Sequence, residues 1–119
     1  MSKNKVTIMK VCFTAKGTTL DALMEERFGR APYFVIVESG TGSFEAMKNP
    51  YADGGGGVGP KAAQILIANN VQALVSGQVG VNAREVLVAA GIEMYTYRAG
   101  GSVKDALDQF TKKTLARSG

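Results

Sequence analysis

The sequence contains no histidine, no tryptophan and a single cysteine, Cys12. Each shortage closes off some chemistry. One thiol makes no disulfide within the chain. A zinc site takes about four nitrogen or sulfur ligands, or about three when catalytic, and a conventional iron–sulfur cluster takes about four cysteines. This chain supplies neither set. Ser–His and Cys–His nucleophiles are excluded for want of imidazole. A metal species held here must therefore arrive with most of its own ligands. No apolar run approaches the roughly 18 residues of a membrane helix. The polar, basic start (residues 1–5) is not followed by an apolar stretch of about 7 residues or more with a small-residue cleavage site. No secretory leader is read, and the expected location is cytoplasmic. No basic run exceeds the pair Lys112–Lys113, and aromatic residues do not interleave with basic ones. Neither nucleic acid nor a membrane is an expected partner.

What is present suits one folded domain. Hydrophobic residues make up 45% of 119 residues and charged ones 20%, with a formal charge of +4. The apolar content is enough for a core, and the basic excess favours an anionic partner. Residues 8–14 (IMKVCFT) read as a buried central strand. Residues 18–26 (TTLDALMEE) suggest a short helix capped by Thr18 or Thr19. Residues 33–38 (YFVIVE) and 43–48 predict a hairpin about the turn 39–42. A glycine run over residues 54–59 then leads to Pro60, placed at a favoured first helical position, and a helix is expected from there to about Asn69, with Asn70 as its stop. A strand is expected over 71–76 and a helix after a capping box of Asn82 and Glu85, ended by Gly91. A strand over 92–97 and a last helix capped by Ser102 and Asp105, burying Val103, Ala106, Leu107, Phe110 and Leu115, complete the order.

The order β-β-β-α-β-α-β-α predicts an α/β fold with a mixed five-stranded sheet covered by helices on both faces. Right-handed crossovers make the first, fourth and fifth strands parallel. The loops at 15–32, 49–59, 77–80 and 98–102 should then open at one edge, the carboxyl edge where ligands of α/β sheets generally bind.

Residues 54–59 (GGGGVG) match G-x-G-x-x-G, but they follow a hairpin rather than a first strand. The position about 20 residues beyond Gly59 is Val79, with no acid until Glu85, so a dinucleotide is not expected. Gly54, Gly55, Gly56 and Gly57 instead expose backbone N–H groups ahead of a helix N-terminus, which suits an anion. They also suit a plain flexible connection. Gly77, Gln78, Val79 and Gly80 before the next helix form a second candidate cradle, or an ordinary strand–helix turn. Gly100 and Gly101 form a third. Lys16, Arg27 and Arg30 flank the first loop on the same edge as candidate anion-binding cations, or as solvated surface charge, with Arg30 packing its stem on Phe28 and Tyr33. Cys12 and Met24 read first as core residues.

Several of these segments resemble one family. Residues 28–34 (FGRAPYF), Asn49-Pro50, the glycine run, Gly77-Gln78-Val79-Gly80 with Asn82-Ala83, residues 89–92 (AAGI) with Tyr95, and residues 100–103 (GGSV) with Ala106-Leu107 resemble, in order, the dinitrogenase iron–molybdenum cofactor biosynthesis family, whose members include NifX and the C-terminal part of NifB. The resemblance spans roughly residues 9–115. It implies a single domain over 9–116 after a short extension, 1–8, and a ribonuclease H-like sheet.

The resemblance also implies a function. The chain is expected to bind, carry or store, without catalysis, a preformed anionic molybdenum-containing sulfide cluster of Mo–Cu–S or Fe–Mo–S type, held non-covalently and passed to a recipient protein. Arg27 stands where cluster-carrying members often have histidine, so retention by charge and N–H···S contacts is expected in place of imidazole ligation. Residues 8–14 carry no acid, which argues against the two-metal nuclease chemistry known on that fold. The alternative is a metal-free interaction or regulatory module that uses the glycine-rich loop.

Overall fold

The computed structural model describes residues 9–54, 57–98 and 100–118. The expected extension over residues 1–8, and Gly55 and Gly56, lie outside the described residues. The elements are β1 (Lys10–Ala15), β2 (Tyr33–Glu38), β3 (Phe44–Lys48), α1 (Val58–Ala68), β4 (Ala73–Ser76), α2 (Val81–Ala89), β5 (Glu93–Thr96), α3 (Val103–Thr111) and β6 (Ala116–Arg117). They form a mixed sheet in the order β3-β2-β1-β4-β5-β6. β1 runs parallel to β4, and β4 to β5, while β2, β3 and β6 each run antiparallel to their neighbour.

The mixed α/β architecture and the strand directions agree with the sequence reading, and the count of five strands is corrected to six. β6 is two exposed residues long, too short for any hydrophobic period to announce it. Its pairing with β5 comes from backbone hydrogen bonds, extended by the Ser118 N–H donating to the Met94 carbonyl at 2.8 Å, with Arg117 lying 3.8 Å from Glu93 across the two strands.

Alternation along the strands sorts the core onto two faces. Val11, Phe13 and Ala15 of β1 join Val35, Val37, Ala73 and Val75 under α3. Cys12 joins Phe34, Ile36, Leu74 and Met94 under α1 and α2. Both layers are closed to solvent, and each fully buried Phe, Leu or Val contributes about 1.5–3 kcal/mol. Small residues set the helix positions. Ala62, Ala63 and Ala83 are buried, and a Cβ placed on Gly59 would lie 3.0 Å from the Ala83 Cβ. α1 and α2 therefore approach closely at their N-terminal turns.

The helix ends follow local chemistry. α2 stops at Gly91, whose φ is 77°. The Gly91 N–H donates to Val88 and the Ile92 N–H to Leu87, both at 3.0 Å, the paired bonds of a Schellman stop. Asn70, at φ 60°, ends α1 in the same way. Two expectations about helix starts are corrected. Pro60 is the third residue of α1, where its missing N–H still costs nothing because first-turn donors lack helical partners. α2 begins at Val81 with Gly80 as its N-cap and no side-chain cap. Asn82 thus lies inside the first turn and cannot form the expected box with Glu85. At α3 the box of Ser102 and Asp105 is present, but the helix ends at Thr111, so Leu115, expected on it, packs against the same core from beyond its end.

The helix expected at 18–26 is also corrected: the segment is a chain of turns and single bridges. A helix of nine residues is marginal by itself, and here the backbone groups find non-helical partners. The Glu25 N–H donates to Thr14 (2.9 Å), the Lys16 N–H to Leu23 (2.8 Å) and the Met24 N–H to Gly101 (2.9 Å).

Two predictions follow from these anchors. Asn49 is 2% exposed. Its amide donates to the Gly29 and Ala31 carbonyls at 3.2 and 2.9 Å, and its oxygen accepts the Tyr51 N–H at 3.1 Å. Asn49→Leu strands all three groups and should cost about 2–3 kcal/mol in urea unfolding. The Asp105 carboxyl is held below the usual carboxylate range, chiefly by the backbone N–H of Ser102. A lowered native pKa gives stability that is present above the unfolded value and lost as pH falls through the native one. Asp105→Asn should be less stable than the parent at neutral pH, and the gap should close on acidification, as read by thermal melts across pH.

Candidate functional site

The carboxyl ends of β1, β3, β4 and β5 share one edge of the sheet, and the residue 16–32 loop lies across it. Three further loops are fastened to this segment. At one end the Val103 and Lys104 N–H groups donate to Ala22 and Leu20, at 2.9 and 2.8 Å. In the middle, the Gln78 N–H donates to Glu26 at 2.6 Å and the Phe28 N–H to Gln78 at 2.9 Å. At the other end Asn49 grips the Gly29 and Ala31 carbonyls, and Arg30 Nη1 donates to the Ala52 and Gly54 carbonyls at 3.2 and 2.6 Å. Beneath the middle, the Thr14 hydroxyl donates to Glu25 at 2.7 Å and meets the Ser76 hydroxyl at 3.1 Å. This internal network keeps the polar edge of the core satisfied.

The site residues expected from the sequence divide between two ends of this edge. Arg30, Gly57 and Gly80 line one cavity of about 250 Å³, together with residues 58–60 at the start of α1 and 81–83 at the start of α2. Gly54 adjoins it through its carbonyl bond to Arg30. Neither helix has a side-chain cap. Among the described residues the N–H groups of Val58 and Gly59, and of Val81, Asn82 and Ala83, have no protein acceptor. Two positive helix ends and one guanidinium therefore surround the same space. No acidic side chain lines it.

The end at α3 differs. Its N-terminal donors are all engaged: Ser102 with the Asp105 carboxylate, Val103 with Ala22, Lys104 with Leu20, and Asp105 with the Ser102 hydroxyl. Gly100 and Gly101 border a helix start with no donor left for an anion. Gly101 has no room for a side chain, because the Tyr97 hydroxyl and the Asp105 carboxylate occupy the place of a Cβ. Lys16 is exposed near this end, bonded through its backbone to Leu23. Arg27 is exposed too; its side chain is 63% accessible and lies 3.8 Å from Glu25.

Gly77, Gln78, Val79 and Gly80 separate the Arg30 cavity from a second of about 350 Å³, which also holds Arg84, Thr96 and Arg98. The reason for glycine differs along this turn. A Cβ on Gly77 would lie 2.7 Å from the Glu26 carbonyl oxygen, so Gly77 admits the bridge between Gln78 and residues 26–28. At Gly80 φ is −64° and nothing lies within 4 Å of a built Cβ. Neither backbone nor packing requires glycine there. Its effect is to leave the mouth of both cavities open.

Sequence reasoning did not single out Gly59, Arg84 or Arg98. The contact between Gly59 and Ala83 is tertiary and leaves no local signal. The two arginines gain meaning only once β5 and α2 are side by side. Cys12 is fully buried against α1 and α2, and burial pushes its thiol pKa well up, so it offers no thiolate at this edge. Met24 is buried on the other face. Two larger cavities, of about 600 and 470 Å³, lie by Lys10 and Glu38 and by Tyr95 and Phe110. Neither contains a residue expected from the sequence to bind a ligand. No group of three His, Cys, Asp or Glu residues among the described residues could hold a bare metal ion, and no helix there is long and apolar enough to cross a membrane.

Comparison with known proteins places the fold and the family. The apo form of the orange protein from Desulfovibrio gigas superposes with a TM-score of 0.89 at 32% identity, over 97% of each chain. A Thermotoga protein provisionally assigned as NifB superposes with a TM-score of 0.82 at 37% identity, over 92% of each chain. A Methanocaldococcus jannaschii protein provisionally assigned as a dinitrogenase, 17% identical with a TM-score of 0.70 over 96% of this chain and 98% of its own, shares the fold. No match was found among curated proteins. Residues 9–113 match the family described as dinitrogenase iron-molybdenum cofactor, and with the two relatives above 30% identity this places the chain in that family.

Proposed function

We propose that the protein carries or stores a preformed anionic molybdenum-containing sulfide cluster, of Mo–Cu–S or Fe–Mo–S type, held without covalent bonds and passed to a recipient protein rather than chemically transformed. Membership of the iron–molybdenum cofactor family supports cluster binding as the general role. The observation that carries the finer reading is the convergence of two uncapped helix N-termini and Arg30 on one cavity. Backbone N–H groups and a guanidinium suit the sulfide and oxide surface of a cluster that brings its own internal bonds. They do not discriminate finely by coordination geometry, which suits cargo that must later leave. Arg30 has two tasks in this reading: it meets the charge and it ties down the Ala52 and Gly54 carbonyls beside the cavity. Arg27, exposed beside Glu25, contributes little.

Reconstitution with tetrathiomolybdate and copper, and separately with iron–molybdenum–sulfide precursors, should give a coloured species that co-elutes with the protein on gel filtration. No co-eluting colour with either would overturn the proposal. Arg30→Gln should weaken retention about tenfold or more, as expected for loss of a charge-assisted contact. Arg27→Ala should change retention less than about threefold. Gly80→Asp separates binding from folding. An N-cap carboxylate should raise stability by a few tenths of a kcal/mol over glycine, while its charge and bulk in the cavity mouth should abolish retention. A Gly80→Asp protein that keeps its colour places the cluster elsewhere.

A further inference from the structure

Beyond the Arg30 cavity, the approximately 350 Å³ hollow between the Gly77–Gly80 turn, the end of β5 and the first turns of α2 has its own chemistry. Arg84 and Arg98 both line it, and among the described residues no acidic one does. Of the other arginines, Arg30 is bonded to two carbonyls and two lie near a carboxylate. Arg27 lies beside Glu25 and Arg117 beside Glu93, each at 3.8 Å, whereas Arg84 and Arg98 pair with no carboxylate among the described residues. Arg84 is partly buried, and one arm of its guanidinium is fixed by donating through Nη1 to the Ser118 carbonyl. That contact orients the fork and leaves its other donors available. Thr96 adds a hydroxyl on the same wall. Two cations in a concave wall, with no acid beside them among the described residues, focus a positive potential.

We infer that this hollow is a second, separate anion site that takes a small tetrahedral oxyanion dianion, with Arg84 and Arg98 as its charged contacts and Thr96 as a neutral donor. Phosphate, sulfate and molybdate share the needed chemistry: two negative charges and oxygens spaced for a guanidinium fork. The site shares Gly80 with the Arg30 cavity but has its own cations, so its binding is read apart from the cluster reading.

The test is a set of ¹⁵N-resolved NMR titrations of the intact chain with sodium phosphate, sulfate and molybdate, against sodium chloride at matched ionic strength. The inference expects saturable shifts at Gln78, Val79, Thr96 and Arg98 with a dissociation constant in the millimolar range or tighter. Arg98→Gln and Arg84→Gln should each weaken binding about tenfold, and Arg30→Gln should leave it within about twofold. Arg98 has no hydrogen bond to another described residue, so its variant tests binding without disturbing the Ser118 contact. Which of the three anions binds tightest identifies the source of the ligand. Equal shifts with chloride, absence of saturation, or shifts confined to residues 57–60 and removed by Arg30→Gln would each overturn the second site.

Discussion

Everything at the carboxyl edge depends on a short stretch of parallel pairing between residues 26–28 and Gln78. The Gln78 N–H and carbonyl are both used there, at 2.6 and 2.9 Å, and the bridge forms only because residue 77 has no side chain to strike the Glu26 backbone. By holding the long loop against the end of β4, this pairing places Gly29 and Arg30 beside the start of α1 and leaves the Leu20 and Ala22 carbonyls over the start of α3. One local bond pair thus shapes the surroundings of two helix N-termini, that of α1 at Val58 and that of α3 at Val103, both distant from Gln78 in sequence.

The three helices are treated differently by this arrangement. α3 has a capping box and borrowed carbonyls, so its N-terminal dipole is fully answered by the protein itself. α1 and α2 start from glycine and answer none of theirs with a side chain. An unanswered helix end is expensive when buried and cheap when open to water. The cavity that Arg30 lines is open enough for water to serve, and polar enough for an anion to replace that water. Fixing that space requires α1 and α2 to meet closely, and the contact of Gly59 with Ala83 supplies the close approach.

The strands were readable in the sequence because their apolar residues alternate or run unbroken across a buried sheet, as in YFVIVE. The shared edge then followed from chain direction alone. The path of residues 16–32 was not readable. Its backbone partners lie tens of residues away at Gly101, Val103 and Gln78, and no local pattern encodes them. The two candidate capping boxes show the same boundary. Ser102-x-x-Asp105 and Asn82-x-x-Glu85 look alike as strings, but α2 begins at Val81 behind the N-cap Gly80, and the pattern falls out of phase. Arg30 was readable as a cation on the correct edge. Its grip on Ala52 and Gly54 was not, because that bond exists only once the hairpin has returned β3 to the same edge.

The uncapped starts of α1 and α2 also bear on the fate of the polypeptide. Any species bound only by the native fold stabilises it by mass action. A chain whose helix ends await an external anion is therefore more robust when loaded than when vacant. If the proposed cluster binds, vacant copies would open more often and be the first exposed to cellular proteases. Abundance would then track the supply of the anion, giving a simple feedback in which the carrier persists only while it has something to carry.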